Sequence, residues 1–91
     1  MSLEIKCLEP NKENVQEGDL LVVEVNTENV IGAVFLPIVE FNEEKVVGVY
    51  GSFQCFRKYK DVLVLKKDGS FLVGKNLINW SSKFLKIYKR R

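Results

Sequence analysis

Ninety-one residues, 46% of them hydrophobic, suit one small globular domain spanning 1–91 and exclude a disordered chain. With no histidine there is no Ser-His or Cys-His dyad, and no phosphate-cradling glycine loop occurs, so the chain reads as a non-enzyme without a cofactor. The formal net charge of +2 conceals a split: residues 1–45 hold ten acids and three lysines, a balance of −7, whereas residues 46–91 hold eleven bases and two acids, a balance of +9.

Along the chain, β-branched and aromatic residues recur in short runs punctuated by Gly, Asn and Asp, which predicts an all-β fold. "LEIKC" alternates, with Leu3, Ile5 and Cys7 on one face, as a half-buried first strand does. "EPNKENVQEG" is turn-rich, with at most one helical turn at residues 14–16, and "GDLLVVEV" begins a second strand that turns Leu21, Val23 and Val25 inward. "VIGAVFLPIVEF" is apolar on both faces, so its strand is central or doubly covered. Pro37 cannot donate to a ladder and demands an edge, a bulge or a bend there.

"NEEK", residues 42–45, predicts a hairpin loop leading into "VVGVYGSFQCF", read as one long strand that Gly48 and Gly51 allow to curl. Asp68 and Gly69 in "KKDGSF" predict a two-residue turn joining "DVLVL" to "FLVG". After "KNLINW", Ser81 and Ser82 suit a single helical turn, and "FLKIYK" resumes alternation as a final strand. Trp80, between an apolar run and a turn, reads as a plug at the end of the core.

These seven or so short strands, with one or two helical turns at most and no room for a crossover helix, predict an antiparallel sheet closed into a small barrel. "EGDLLVVEV" followed by a curling meander, with "LINWSSKFLKIY" as strand, tight turn and strand, resembles SH3-like barrels, a likeness of pattern over most of the chain. An OB-like Greek-key barrel is the alternative, disfavoured because the helix between its third and fourth strands is missing.

The two cysteines, Cys7 and Cys55, belong to no Cys-x-x-Cys pair and have no histidine beside them, so no metal site is expected. They form either two separate thiols or one bridge. The start "MSLEIKCLEP" lacks a signal-peptide pattern, and the longest apolar run, residues 30–39, is too short to span a bilayer. The expectation is a cytoplasmic protein without a membrane partner.

Two stretches combine rings with cations. In "FQCFRKYK", Phe53 and Cys55 continue an inward series from Val47 and Val49, leaving Phe56 and Lys58 exposed, with Arg57, Tyr59 and Lys60 beyond. In the final strand Phe84, Lys86, Tyr88 and Arg90 share one face, flanked by Lys89 and Arg91. Rings that stack on bases while cations follow phosphates are the equipment of single-strand binders. The favoured reading is therefore a non-enzymatic nucleic-acid-binding barrel using these eleven residues of the second half. The alternative is a protein-interaction module or accessory subunit, of a virus or mobile element for instance, acting through exposed aromatics, sheet edges or a homodimer. A pI of 8.6, low for a dedicated nucleic-acid binder, weighs against the first; cross-strand pairing of Glu24, Glu28 or Glu40 with a base would cancel the field it needs.

Overall fold

The computed structural model describes residues 7–8, 10–26, 28–29 and 31–75. The predicted start of the first strand, Trp80, the turn at Ser81 and the final strand lie outside them. The described chain is all-β: β1 (Cys7–Leu8), β2 (Leu20–Asn26), β3 (Ile31–Phe41), β4 (Lys45–Tyr50), β5 (Phe53–Lys58), a 3-10 turn (Tyr59–Asp61), β6 (Leu63–Leu65) and β7 (Phe71–Val73). They form one sheet in the order β1-β7-β6-β2-β3-β4-β5. The six strands β2–β7 pair antiparallel, while β1 joins β7 in parallel, so the wholly antiparallel sheet that alternation suggested is corrected at its edge. Among the described residues the sheet is open, with β1 and β5 at its two ends.

Chain connectivity forces the sheet to curl. β5 and β6 stand four places apart in the order. In a flat sheet that would be about 19 Å at a spacing of about 4.8 Å. The five-residue step from Lys58 to Leu63 reaches only about 17 Å when extended, and the 3-10 turn shortens it further. Gly74 lies where the chain closes upon itself: its N–H donates to the Val62 carbonyl at 2.7 Å, and a Cβ there would stand 2.5 Å from the Lys60 carbonyl oxygen.

Curling divides the apolar residues into two clusters on opposite faces. Leu21, Leu36, Val46, Val62, Val64 and Leu72 are fully buried in the first, with Val23, Val34, Ile38 and Cys55 packed against them. Val22, Leu63 and Phe71 anchor the second, with Ala33, Phe35, Leu65 and Val73 beside them. The doubly apolar strand is thus covered on both faces from Ala33 to Leu36, whereas Pro37 and Val39 are exposed. Val22, expected to point away from the core, is buried as well. Each such side chain contributes about 1.5–3 kcal/mol.

Pro37 marks the point where β3 changes partner. Its pairing with Leu20 ends the β2 ladder, and the β4 ladder begins at Ile38 with a register shift before Glu40. A residue without an N–H is tolerated where one ladder stops and the next starts. Val39 lies at this shift and is exposed.

The turns follow their side chains. Asn42 Oδ1 accepts the N–H groups of Glu44 and Lys45 at 2.8 and 3.0 Å, closing the predicted "NEEK" hairpin. Asn11 Oδ1 does the same for Glu13 and Asn14, placing a turn at residues 12–14 and no helix at 14–16. The Asp-Gly hairpin has three loop residues, not two: Lys66 N–H donates to the Ser70 carbonyl and Gly69 N–H to the Lys66 carbonyl, with Gly69 at φ +88°. Asp68 keeps an ordinary φ, which excludes the two-residue type I′ turn. The Ser70 hydroxyl and N–H donate to the Asp68 carboxylate at 2.5 and 2.9 Å and, with Lys66 nearby, hold its pKa below the usual value.

One buried ion pair fastens the loop before β2 to the β6–β7 hairpin. Asp19, 1% exposed, accepts from Lys66 Nζ at 2.5 Å and from the Gln16 N–H at 2.8 Å, and Lys66 also donates to the Asn14 carbonyl.

Candidate interaction surface

"VVGVYGSFQCF" is two strands. Tyr50 pairs with Phe53 across Gly51 and Ser52, and Gly51, at φ +59°, occupies the first central position, where a type II′ turn requires glycine. Gly-Ser between two alternating runs is itself a hairpin signal, and it identifies this turn from the sequence. The reversal also corrects the assignment of faces. Cys55 lies opposite Gly48 and Phe53 opposite Tyr50, so both share a face with Val46, not with Val47 and Val49. Cys55, a free thiol, packs against the first cluster as expected of a core residue. Phe53, also assigned to the core, stands past its end and is 54% exposed, next to Tyr50 at 70%.

On the opposite face Val47 pairs with Phe56 and Lys45 with Lys58. Phe56 is 59% exposed, and Lys45 Nζ lies 5.8 Å from its ring centroid, within cation–π range. The same ammonium is 3.5 Å from Glu40 Oε2. Phe56 and Lys58 are thus exposed, as expected, and so are Phe53 and Gln54 at the start of the strand.

Tyr59 has a positioning role. Its ring meets Phe41 edge-on at 5.9 Å and its hydroxyl donates to the Pro10 carbonyl, fixing the end of β5 to the segment before β2. Arg57 is half-buried on the Val46 face, while Lys60 is exposed in the 3-10 turn.

Acids and bases interleave along this edge. Glu43 and Glu44 share a surface depression with Lys58, Lys60 and Asp61, and the Glu44 carbonyl accepts the Tyr59 N–H at 3.0 Å. Among the described residues, acids of the first half and bases of the second therefore stand side by side along this edge. The remaining basic-aromatic residues, Phe84, Lys86, Tyr88, Lys89, Arg90 and Arg91, lie outside the described residues, as does any alignment of them with Lys58 and Lys60.

Among the described residues no group of three His, Cys, Asp or Glu side chains could hold a metal, and no helix is long and apolar enough to cross a membrane. Protein-family models, curated proteins and solved structures compared with the chain yield no match.

Proposed function

We propose that the chain is a small non-catalytic interaction module that binds protein through the β4–β5 hairpin. The observation that carries this reading is the cross-strand pair Tyr50 and Phe53, two rings directly opposite one another and more than half exposed. Exposed aromatic pairs on a rigid hairpin are the side chains that dominate protein interfaces, because they bury much area at little entropic cost. The cations around β5 are offset by Glu40, Glu43, Glu44 and Asp61, which favours rings over charge as the source of affinity. The curl of the sheet supports a small barrel as the framework that presents this hairpin, and the direct hairpin from β3 to β4, with no helix between them, favours an SH3-like form over an OB-like one.

A nucleic-acid reading keeps one supporting feature, the ring of Phe56 beside the cross-strand pair Lys45 and Lys58 on a single face. It requires the strand predicted from the sequence at residues 84–89 to extend that face.

The two readings separate experimentally. A photo-crosslinking residue at position 53, compared with one at exposed position 68, together with sedimentation equilibrium, tests the protein reading. Specific adducts at 53 or self-association are expected, weakened about 30-fold or more by Tyr50→Ser with Phe53→Ser. Equal labelling at both positions with a monomeric chain overturns it. Fluorescence anisotropy with single- and double-stranded DNA and RNA at low salt is expected to show no binding, and salt-sensitive binding would favour the nucleic-acid reading instead.

A further inference from the structure

Beside the hairpin lies a second surface, bordered mainly by carboxylates. The turn at residues 11–14 and the second half of β3 enclose two adjoining depressions of about 510 and 500 Å³, which share Lys12 and Phe41. Their floor is apolar: Phe41 and Tyr59 in the first, Val15 and Ile38 in the second. Val39, 64% exposed at the register shift, extends this apolar ground toward solvent. The walls are held by side chains, since the Tyr59 hydroxyl bonds Pro10 and the Asn11 and Asn42 carboxamides close the turns on either side.

The rim is acidic. Glu13 and Glu43 border the first depression and Glu17 and Glu40 the second, with Glu44 in a third that adjoins them at Lys12 and Glu43. Five carboxylates border these depressions. Among the described residues Lys12 lies in their lining, Lys45 pairs with Glu40 at 3.5 Å, and Lys58 and Lys60 share the neighbouring depression with Glu43 and Glu44, so the acidic excess is greatest at Glu13 and Glu17. Neither Tyr50 nor Phe53 lines this groove, so it is independent of the hairpin surface. An apolar floor under a carboxylate rim selects side chains that are apolar underneath and cationic on top, which an extended peptide alternating the two provides through its two-residue period.

We infer that this groove docks an extended basic peptide segment of a partner protein, its apolar side chains entering the two depressions and its lysines or arginines meeting the carboxylate rim. Glu13, Glu17 and Glu43 are exposed and suit charge reversal.

The test uses the full chain and a fluorescein-labelled octapeptide alternating lysine and leucine, with lysine-serine and glutamate-leucine octapeptides as controls. Anisotropy is expected to show binding of the lysine-leucine peptide only, falling as salt rises. Amide shift changes should centre on Val15, Val39 and Phe41. The triple variant Glu13→Lys, Glu17→Lys, Glu43→Lys should weaken binding about tenfold or more, and Val39→Ser several-fold, with unchanged circular dichroism and melting. Tyr50→Ser with Phe53→Ser should leave it unchanged, so failure of the hairpin proposal and failure of this one are distinguishable. Equal affinity for the lysine-serine peptide, equal affinity of the triple variant, or no binding at millimolar peptide overturns the inference. Self-association lost in the triple variant without peptide binding also overturns it, in favour of a second copy as occupant.

Discussion

Replacing Lys66 by methionine keeps the buried stem of the side chain and removes its charge from beside Asp19. That carboxylate is 1% exposed and, among the described residues, would retain only the Gln16 N–H at 2.8 Å. Breaking a buried pair from one side costs about 3–5 kcal/mol, against about 0–1 kcal/mol for an exposed pair. The Lys66 side chain is 16% exposed and its nitrogen 2.5 Å from Asp19 Oδ2, so the buried figure applies. A chain of this length has a total stability of about 5–14 kcal/mol, so the loss is a large share of it. At about 4–8 °C per kcal/mol the melting temperature should fall by about 12–40 °C. Urea unfolding and calorimetry of Lys66→Met, Asp19→Asn and the double variant measure this. The double variant should recover much of the loss, because asparagine still accepts from Gln16 and no unpaired charge stays buried. A cost below about 1 kcal/mol for Lys66→Met, or one that vanishes in 0.5 M salt, would refute the reasoning and class the pair with surface pairs.

Gly74→Ala should destabilise more than Gly48→Ala in the same unfolding assay. At Gly74 the added Cβ meets backbone, 2.5 Å from the Lys60 oxygen, whereas at Gly48 it meets the side chains of Leu36 at 2.7 Å and Leu21 at 3.1 Å. For the latter an overpacking cost of about 1–3 kcal/mol is expected. The Asp68 carboxyl should titrate below the usual aspartate value in carbon-detected NMR, and Ser70→Ala should bring it back up, since the Ser70 hydroxyl is the main cause of the shift. Because its folded pKa is depressed, the contribution of Asp68 to stability is present above the unfolded pKa and lost as pH falls through the folded one. Thermal melts at stepped acidic pH should show a smaller dependence in Ser70→Ala.

Strand positions were legible wherever alternation and a turn residue stood side by side. "NEEK" and "KKDGSF" became hairpins because Asn42 and Gly69 satisfy local backbone geometry that needs no distant partner. "YGSF" carries the same kind of signal, and the turn it makes puts Phe53 at the exposed tip, outside the core. The candidate site was half legible: Phe56 and Lys58 follow from strand period alone, whereas the exposure of Tyr50 and Phe53 depends on where the core ends. The acidic groove had no local signature, since Lys12, Val15, Ile38 and Tyr59 come from three separate parts of the chain.

By itself the sequence determined the all-β character, most turns, and the absence of histidine chemistry, because period-two alternation, turn propensity and residue chemistry act over a few residues. Only the tertiary structure decided the strand order, the parallel pairing of β1 with β7 and the burial of Val22 beside Leu63 and Phe71. It also decided how charge is distributed around β5, where the hairpins set Glu40, Glu43 and Glu44 beside Lys45, Lys58 and Lys60. Those outcomes depend on which strands meet, and that is fixed by the free energy of burying two apolar faces of one curled sheet, a quantity no local window contains.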